Sequence, residues 1–254
     1  MLEKSSHRPS DGCFETHCLA LPAWKCDKPQ KVTGAKDAAS IRSESLQPLS
    51  EDEKEVLLVM HSYGGGPGSA AAKGLSVVER RQRGLKGGVT GQVFVAAMVA
   101  EGKETALGAL AGKWPDVMKP NSVQNALEIL YADVSPLAAT EAVDTLLPQS
   151  MTALTAPFGP PSWSDSAYNA RRVYIGCIDD KTLPLAGQDA FRKKTGLNWI
   201  TRDAKAGHSP FLSCPETFAM MLIELAVKFQ ESSGLDSETT DQPSEAEESE
   251  ERDH

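Results

Sequence analysis

The chain has 254 residues, of which 40% are hydrophobic, and this is enough for the core of one fairly large domain. The net charge of -9 is carried by residues 231–254, which contain ten acidic residues and one arginine. The other 25 acidic and 25 basic residues balance, so the body has no basic footprint for nucleic acid. No apolar stretch reaches the ~18 residues of a membrane span. We therefore expect neither a membrane nor a nucleic acid as a partner.

The two ends of the chain differ from its middle in composition. Residues 1–12 are polar without periodicity, and residues 231–254 are acidic and rich in serine and threonine, so both are predicted to be disordered. We place the folded domain at residues 13–230. No apolar signal-peptide core follows Met1, and the five cysteines have no paired spacing, so a cytoplasmic protein with free thiols is expected.

The first half of the chain predicts a βαβ unit. Alternation over Phe14–Leu21 predicts a strand, and Asp37 is a candidate cap of a helix that Pro48 kinks or ends. The apolar run from Val56 ends at Ser62 and is followed by glycines, which predicts a buried strand and a sharp turn into a helix over 65–80. After a loop over 80–91, Gln92–Ala100 predicts the next parallel strand.

Residues 101–170 interrupt this pattern and predict a helical insertion, with helices over 123–131 and 138–147. Such a lid would give a substrate pocket apolar walls. Phe158 and Trp163 either line that pocket or pack the lid. Strand and helix patterns then return, and the alternation predicts an α/β sandwich. The strand patterns lie over 172–178 and 198–201, and the helix patterns lie over 185–195 and 215–229.

Three polar residues follow predicted strands and form a candidate catalytic set. Ser62 lies on a strand-to-helix turn, where its hydroxyl is held out from the sheet, as in a nucleophile elbow. Asp179 and Asp180 end the third strand, and His208 follows the last one. The carboxyl ends of parallel strands meet at one edge of a sheet, so these residues are expected to lie close together. Their types fit nucleophilic catalysis, with Ser62 as nucleophile, His208 as base and an aspartate that orients the base.

Three blocks carry a resemblance to the α/β-hydrolase superfamily, over roughly residues 14–229. They are Val59-Met60-His61-Ser62-Tyr63-Gly64-Gly65, the segment 174–184 with Gln188, and Ala206-Gly207-His208-Ser209-Pro210. The sequence is most similar to the branch of plant methyl-salicylate esterases and hydroxynitrile lyases, with fungal relatives. The spacing Cys-x-x-Asp of that branch selects Asp180 over Asp179.

The resemblance implies a serine hydrolase with the triad Ser62, Asp180 and His208 and with an oxyanion donor at the N–H of Tyr63. It implies no cofactor and no metal, and a small apolar ester or lactone as substrate, such as a fungal secondary metabolite. His61 faces into packing in the family. Met60 departs from the small residue that the elbow usually has.

The family normally begins with a strand and a glycine-containing loop that gives a second oxyanion N–H. No such block precedes Ser62, so we expect the sheet to lack that strand and the site to lack that donor. Two alternatives therefore stand beside ester hydrolysis. They are lyase or rearrangement chemistry on the same triad, and a truncated, non-catalytic homologue. Oligomeric state is not predicted.

Overall fold

A computed structural model of the chain describes residues 14–24, 31–110, 112 and 123–238. Its strands are β1 (Glu55–His61), β2 (Gly88–Val95), β3 (Arg172–Cys177) and β4 (Ile200–Ala204). The helices before β3 are α1 (Gly34–Ile41), α2 (Gln47–Glu51), α3 (Gly65–Ala71), α4 (Val77–Arg81), α5 (Ala106–Ala109), α6 (Val123–Ile129), α7 (Pro136–Asp144) and α8 (Met151–Thr155). Those after β3 are α9 (Leu185–Lys194), α10 (Pro210–Ser213) and α11 (Pro215–Glu238).

The four strands form one parallel sheet in the order β1-β2-β3-β4. This confirms the predicted α/β architecture. Every residue of β2 and β3 is buried, whereas β1 is partly exposed, with Val59 at 39%. All four carboxyl ends lie at the same edge of the sheet, which is the edge that carries Ser62, Asp180 and His208.

Helices cover both faces of the sheet, because alternate residues of a strand point to opposite faces. On one face, Val93 and Val95 of β2 pack with Phe229 and Leu225 of α11. On the other face, Phe94 belongs to a core with aromatic side chains from the segment between β2 and β3 and from the turn after β1. The described part of that segment contains helices α5 to α8, of which α6 and α7 correspond to the helices predicted over 123–131 and 138–147. Within the described residues, no helix is both long and apolar enough to cross a bilayer.

The strand predicted over Phe14–Leu21 is wrong. These residues have no regular structure, and most of their side chains are exposed, including Phe14 at 47%. The alternation misled because neither of its faces is buried against a sheet. Among the residues that the structure describes, no strand precedes β1.

The helix before β1 begins earlier than its predicted cap. Thr33 caps α1 by accepting a hydrogen bond from the Lys36 N–H, whereas Asp37 lies inside the helix and is fully buried. A π-helical turn, Arg42–Leu46, joins α1 to α2. Pro48 lies in the first turn of α2, where its missing N–H costs little. Pro48 therefore does not end the helical stretch.

Several helix and strand boundaries differ from the predicted ones for local reasons. The helix predicted over 65–80 is divided into α3 and α4, because Gly74 adopts a φ of 71° and Ser76 caps a new helix. Strand β2 begins at Gly88 rather than at 92, because Gly88 already pairs with Glu55 of β1. Helix α11 continues to Glu238, past the predicted end at 229 and the predicted boundary at 231, because no proline occurs before Pro243. The predicted disorder of 1–12 and of 239–254 falls outside the described residues.

Candidate active site

Ser62 occupies a strained turn between β1 and α3. Its φ is 51°, in the left-handed region that residues with a side chain rarely adopt. Small residues make the turn possible, because a Cβ on Gly65 would lie 2.2 Å from the Met98 carbonyl oxygen. Met60, the departure from the family pattern, is buried against Gly68, where a Cβ would come within 2.7 Å of its sulfur. The missing side chain at Gly68 thus accommodates the methionine.

The structure brings Ser62, His208 and Asp180 into one chain of hydrogen bonds. His208 Nε2 lies 3.0 Å from Ser62 Oγ, and His208 Nδ1 lies 2.8 Å from Asp180 Oδ2. Asp180 Oδ1 also accepts hydrogen bonds from the backbone N–H groups of Thr182 and Leu183, at 2.7 and 2.9 Å. With the carboxylate as acceptor, Nδ1 carries the proton and Nε2 is free to accept the Ser62 hydroxyl proton.

The parallel sheet explains why residues so distant in sequence meet. Asp180 comes three residues after the end of β3, and His208 follows β4, the neighbouring strand. Asp180 and His208 are buried, whereas Asp179 is exposed. The structure therefore places Asp180, rather than Asp179, against His208.

Gln188 fixes the end of β3 from helix α9. Its amide accepts a hydrogen bond from the Cys177 N–H and donates to the carbonyl groups of Cys177 and Leu183. It is fully buried, so these bonds hold the segment that carries Asp180 in one conformation.

Tyr63 follows Ser62 in the turn, and its side chain is buried in the core. Its N–H lies in the first turn of the short helix Ser62–Gly64, where it has no acceptor within that helix. The phenolic hydroxyl donates to Asp37 Oδ2 at 2.7 Å, and the Ala23 N–H donates to Asp37 Oδ1 at 2.9 Å. Burial raises the pKa of Asp37, although both hydrogen bonds oppose the rise.

Sequence reasoning missed this role of Asp37. The available signal was a single charged residue in the first turn of a helix, and that is typical of a cap or dipole contact rather than of a buried acceptor.

Phe158 and Trp163 are both packed in the hydrophobic core, which is the packing alternative left open by the sequence. Phe158 is 3% exposed, and its ring lies 5.5 Å from the ring of Tyr63. Trp163 is 6% exposed, and its indole N–H donates to the Ala100 carbonyl. Phe158 contacts the turn that bears Ser62 from inside the core.

Two other residues near the triad have strongly shifted pKa values. Burial, reinforced by the Asp180 charge, raises the pKa of the Cys177 thiol to about 12, so the thiol remains protonated and unreactive near neutral pH. Burial and the neighbouring His208 lower the pKa of His61 to about 3, which keeps its imidazole neutral.

Comparisons with known proteins show the family and the fold of the chain. The model of the alpha/beta hydrolase family matches residues 3–220. The alpha/beta hydrolase nvfD of Aspergillus novofumigatus is 25% identical over 218 residues, which is 82% of this chain and 84% of nvfD.

Two solved structures share the fold. A pyrethroid hydrolase from Sphingobium faniae has a TM-score of 0.60 and 20% identity, covering 81% of this chain and 83% of its own. The methylesterase MES16 from Arabidopsis has a TM-score of 0.52 and 23% identity, covering 80% and 81%.

Proposed function

Because the chain belongs to the alpha/beta hydrolase family, we propose that it is a serine hydrolase that cleaves an ester or lactone of a small apolar molecule. The observation that carries the proposal is the hydrogen-bond chain from Ser62 through His208 to Asp180, with distances of 3.0 and 2.8 Å. A nucleophile, a base and an orienting acid in hydrogen-bond contact are the parts that acyl transfer requires.

In the proposed mechanism, Ser62 Oγ attacks the acyl carbon while its proton passes to His208 Nε2. Asp180 keeps the Nδ1–H of His208 oriented and stabilises the imidazolium that forms. The Tyr63 N–H donates to the oxyanion of the tetrahedral intermediate. His208 then returns the proton to the leaving oxygen, and a water molecule hydrolyses the acyl enzyme by the same steps.

An apolar substrate is favoured by the surface beside the triad. Phe211, on the helix that follows His208, is 41% exposed, and its neighbour Leu212 is 38% exposed. The Phe211 ring packs edge-on against His61 at 5.1 Å, and the His61 ring lies 4.7 Å from that of His208. Apolar carbon exposed at this place would bind the apolar part of an ester.

The relatives support ester chemistry and leave the substrate open. The two solved structures described above are named as a pyrethroid hydrolase and a methylesterase, and nvfD is a fungal alpha/beta hydrolase. We carry over ester hydrolysis and, as a part of the proposal, a fungal secondary metabolite as substrate. A cytoplasmic location also remains a prediction.

A fluorophosphonate probe tests the proposal directly, since it reacts with an activated serine. We expect wild-type protein to be labelled at Ser62 and the Ser62→Ala variant to remain unlabelled. Hydrolysis of p-nitrophenyl esters of increasing acyl length then measures the preference for apolar groups. A folded wild-type protein that neither reacts with the probe nor hydrolyses an ester or lactone overturns the proposal.

A further inference from the structure

The position of His208 depends on a loop rather than on a strand or helix. The loop lies between β4 and α10 and contains Gly207 immediately before the histidine. The ring of His208 reaches Ser62 only while the backbone of this loop stays in place. The side chains that bind the loop backbone therefore affect catalysis without touching a substrate.

Two side chains from other parts of the chain bind this backbone on either side of the His208 Cα. His61 Nε2, at the end of β1, lies 2.7 Å from the His208 carbonyl oxygen. Asp133, between α6 and α7, accepts a hydrogen bond from the Gly207 N–H at 2.6 Å through Oδ2. One contact comes from the strand that carries Ser62, and the other comes from the helical insertion.

The chemistry of His61 suits a donor rather than a proton carrier. The carbonyl of His208 only accepts hydrogen bonds, so the neutral ring of His61 carries its proton on Nε2. The ring is also packed between those of His208 and Phe211. Its low pKa is consistent with this fixed state, because a second proton would place a buried cation beside His208.

We propose that His61 is a positioning residue that holds the His208 loop through its carbonyl group, with Asp133 as a second anchor at Gly207. The inference rests on the proposed serine-hydrolase function. A donor at the end of β1 binds the loop of the base to the same strand that presents the nucleophile, so the loop stays in place and the two reacting atoms keep their distance. Asp133 ties the same loop to the insertion.

The decisive experiment measures the rate of fluorophosphonate labelling and the values of kcat and KM for a p-nitrophenyl ester. His61→Phe keeps a planar ring but removes the donor, and we expect kcat and the labelling rate to fall about 10²-fold with KM nearly unchanged. His61→Gln retains an N–H donor at a similar reach and is expected to recover most of the loss. His17→Phe, at an exposed histidine, is the matched control and should behave as wild type.

Asp133 gives a second test that does not depend on the packing of His61. Asp133 is exposed, so Asp133→Ala is expected to fold and to lower kcat, whereas Asp133→Asn keeps an oxygen acceptor and restores it. If His61→Phe fails to fold, this pair decides the question. Labelling of wild type with no effect of any His61 or Asp133 variant overturns the positioning role. Absence of labelling in wild type instead overturns the proposed function.

Discussion

Two buried aspartates each bind a neighbour of Ser62, and they do so in different ways. On one side, Asp180 binds His208 and two backbone N–H groups near the end of β3. On the other side, Asp37 of α1 binds the Tyr63 hydroxyl and the Ala23 N–H. Asp180 acts on a residue proposed to transfer protons, whereas Asp37 fixes a side chain that points away from the reaction. The comparison separates a carboxylate with a proposed catalytic role from a carboxylate that stabilises the fold.

The largest effect is expected at Asp180. In Asp180→Asn, Oδ1 still accepts from Thr182 and Leu183, so stability should change little. The new amide N–H₂ faces His208 Nδ1 and forces the proton onto Nε2, which can no longer accept from Ser62. We expect kcat to fall by about 10⁴. Ester hydrolysis by the purified variant measures this, and the exposed neighbour in Asp179→Asn should retain wild-type kcat. Equal losses in both variants would contradict the assignment of Asp180.

The next effect is expected at Asp37, in stability rather than in catalysis. Asp37→Ala leaves the Tyr63 hydroxyl and the Ala23 N–H without their acceptor, and the free energy of unfolding should fall by about 3 kcal/mol. Asp37→Asn keeps an oxygen for Ala23 and a polar group for Tyr63, so its loss should be smaller. Urea unfolding at neutral pH measures both variants. A large loss of kcat in folded Asp37→Asn would contradict the claim that Asp37 affects stability but not catalysis.

Packing behind Tyr63 sets a third expectation. A Cβ on Gly66 would lie 2.6 Å from the Phe158 ring, whereas a Cβ on Gly64 would meet nothing within 4 Å. Gly66→Ala should therefore lower the free energy of unfolding by about 2 kcal/mol through overpacking. Gly64→Ala is the matched control and should not lower it. Adding Phe158→Leu to Gly66→Ala should recover part of the lost stability. Thermal unfolding of wild type, the two single glycine variants and the double variant tests this order of stabilities, and a Gly64→Ala variant as unstable as Gly66→Ala would contradict it.

The smallest effect is expected in the pH dependence of Tyr63→Phe. In wild type, the raised pKa of Asp37 means that the folded state binds more protons than the unfolded state, whose aspartate titrates near 3.8. Stability from this group is therefore lost as pH rises from the unfolded pKa through the folded one.

Removing the Tyr63 hydroxyl raises the folded pKa further, because that hydrogen bond lowers it. Tyr63→Phe should thus lose about 1 kcal/mol at neutral pH and progressively less towards acid pH, where Asp37 is protonated in both proteins. Unfolding curves collected from neutral to acid pH test the sign. A loss that grows towards acid pH would show that the carboxylate does not gain from the hydroxyl.

Local patterns were sufficient to predict most of the parallel sheet and to identify Ser62 and His208 as candidates, whereas the choice of Asp180 over Asp179 came from the family resemblance. The strand before Ser62, the glycines after it, and the Asp180 and His208 blocks each carry a signal that depends on a few neighbouring residues. Such signals are reliable because a buried strand needs an apolar run and a sharp turn needs small side chains. Met60, which departs from the family pattern, is compatible with the turn, but only the structure shows that Gly68 makes room for its side chain.

The sequence by itself determined the α/β class and identified the candidate residues for the proposed acyl transfer. Tertiary structure decided which polar groups meet, because burial and hydrogen-bond partners come from segments far apart in the chain. Asp37 is the acceptor for Tyr63 rather than a helix cap. Phe158 and Trp163 are packed in the core, and Phe14–Leu21 does not pair with the sheet. The contacts of His61 and Asp133 with the His208 loop span 147 and 74 residues to their partners, and no local pattern records such pairs.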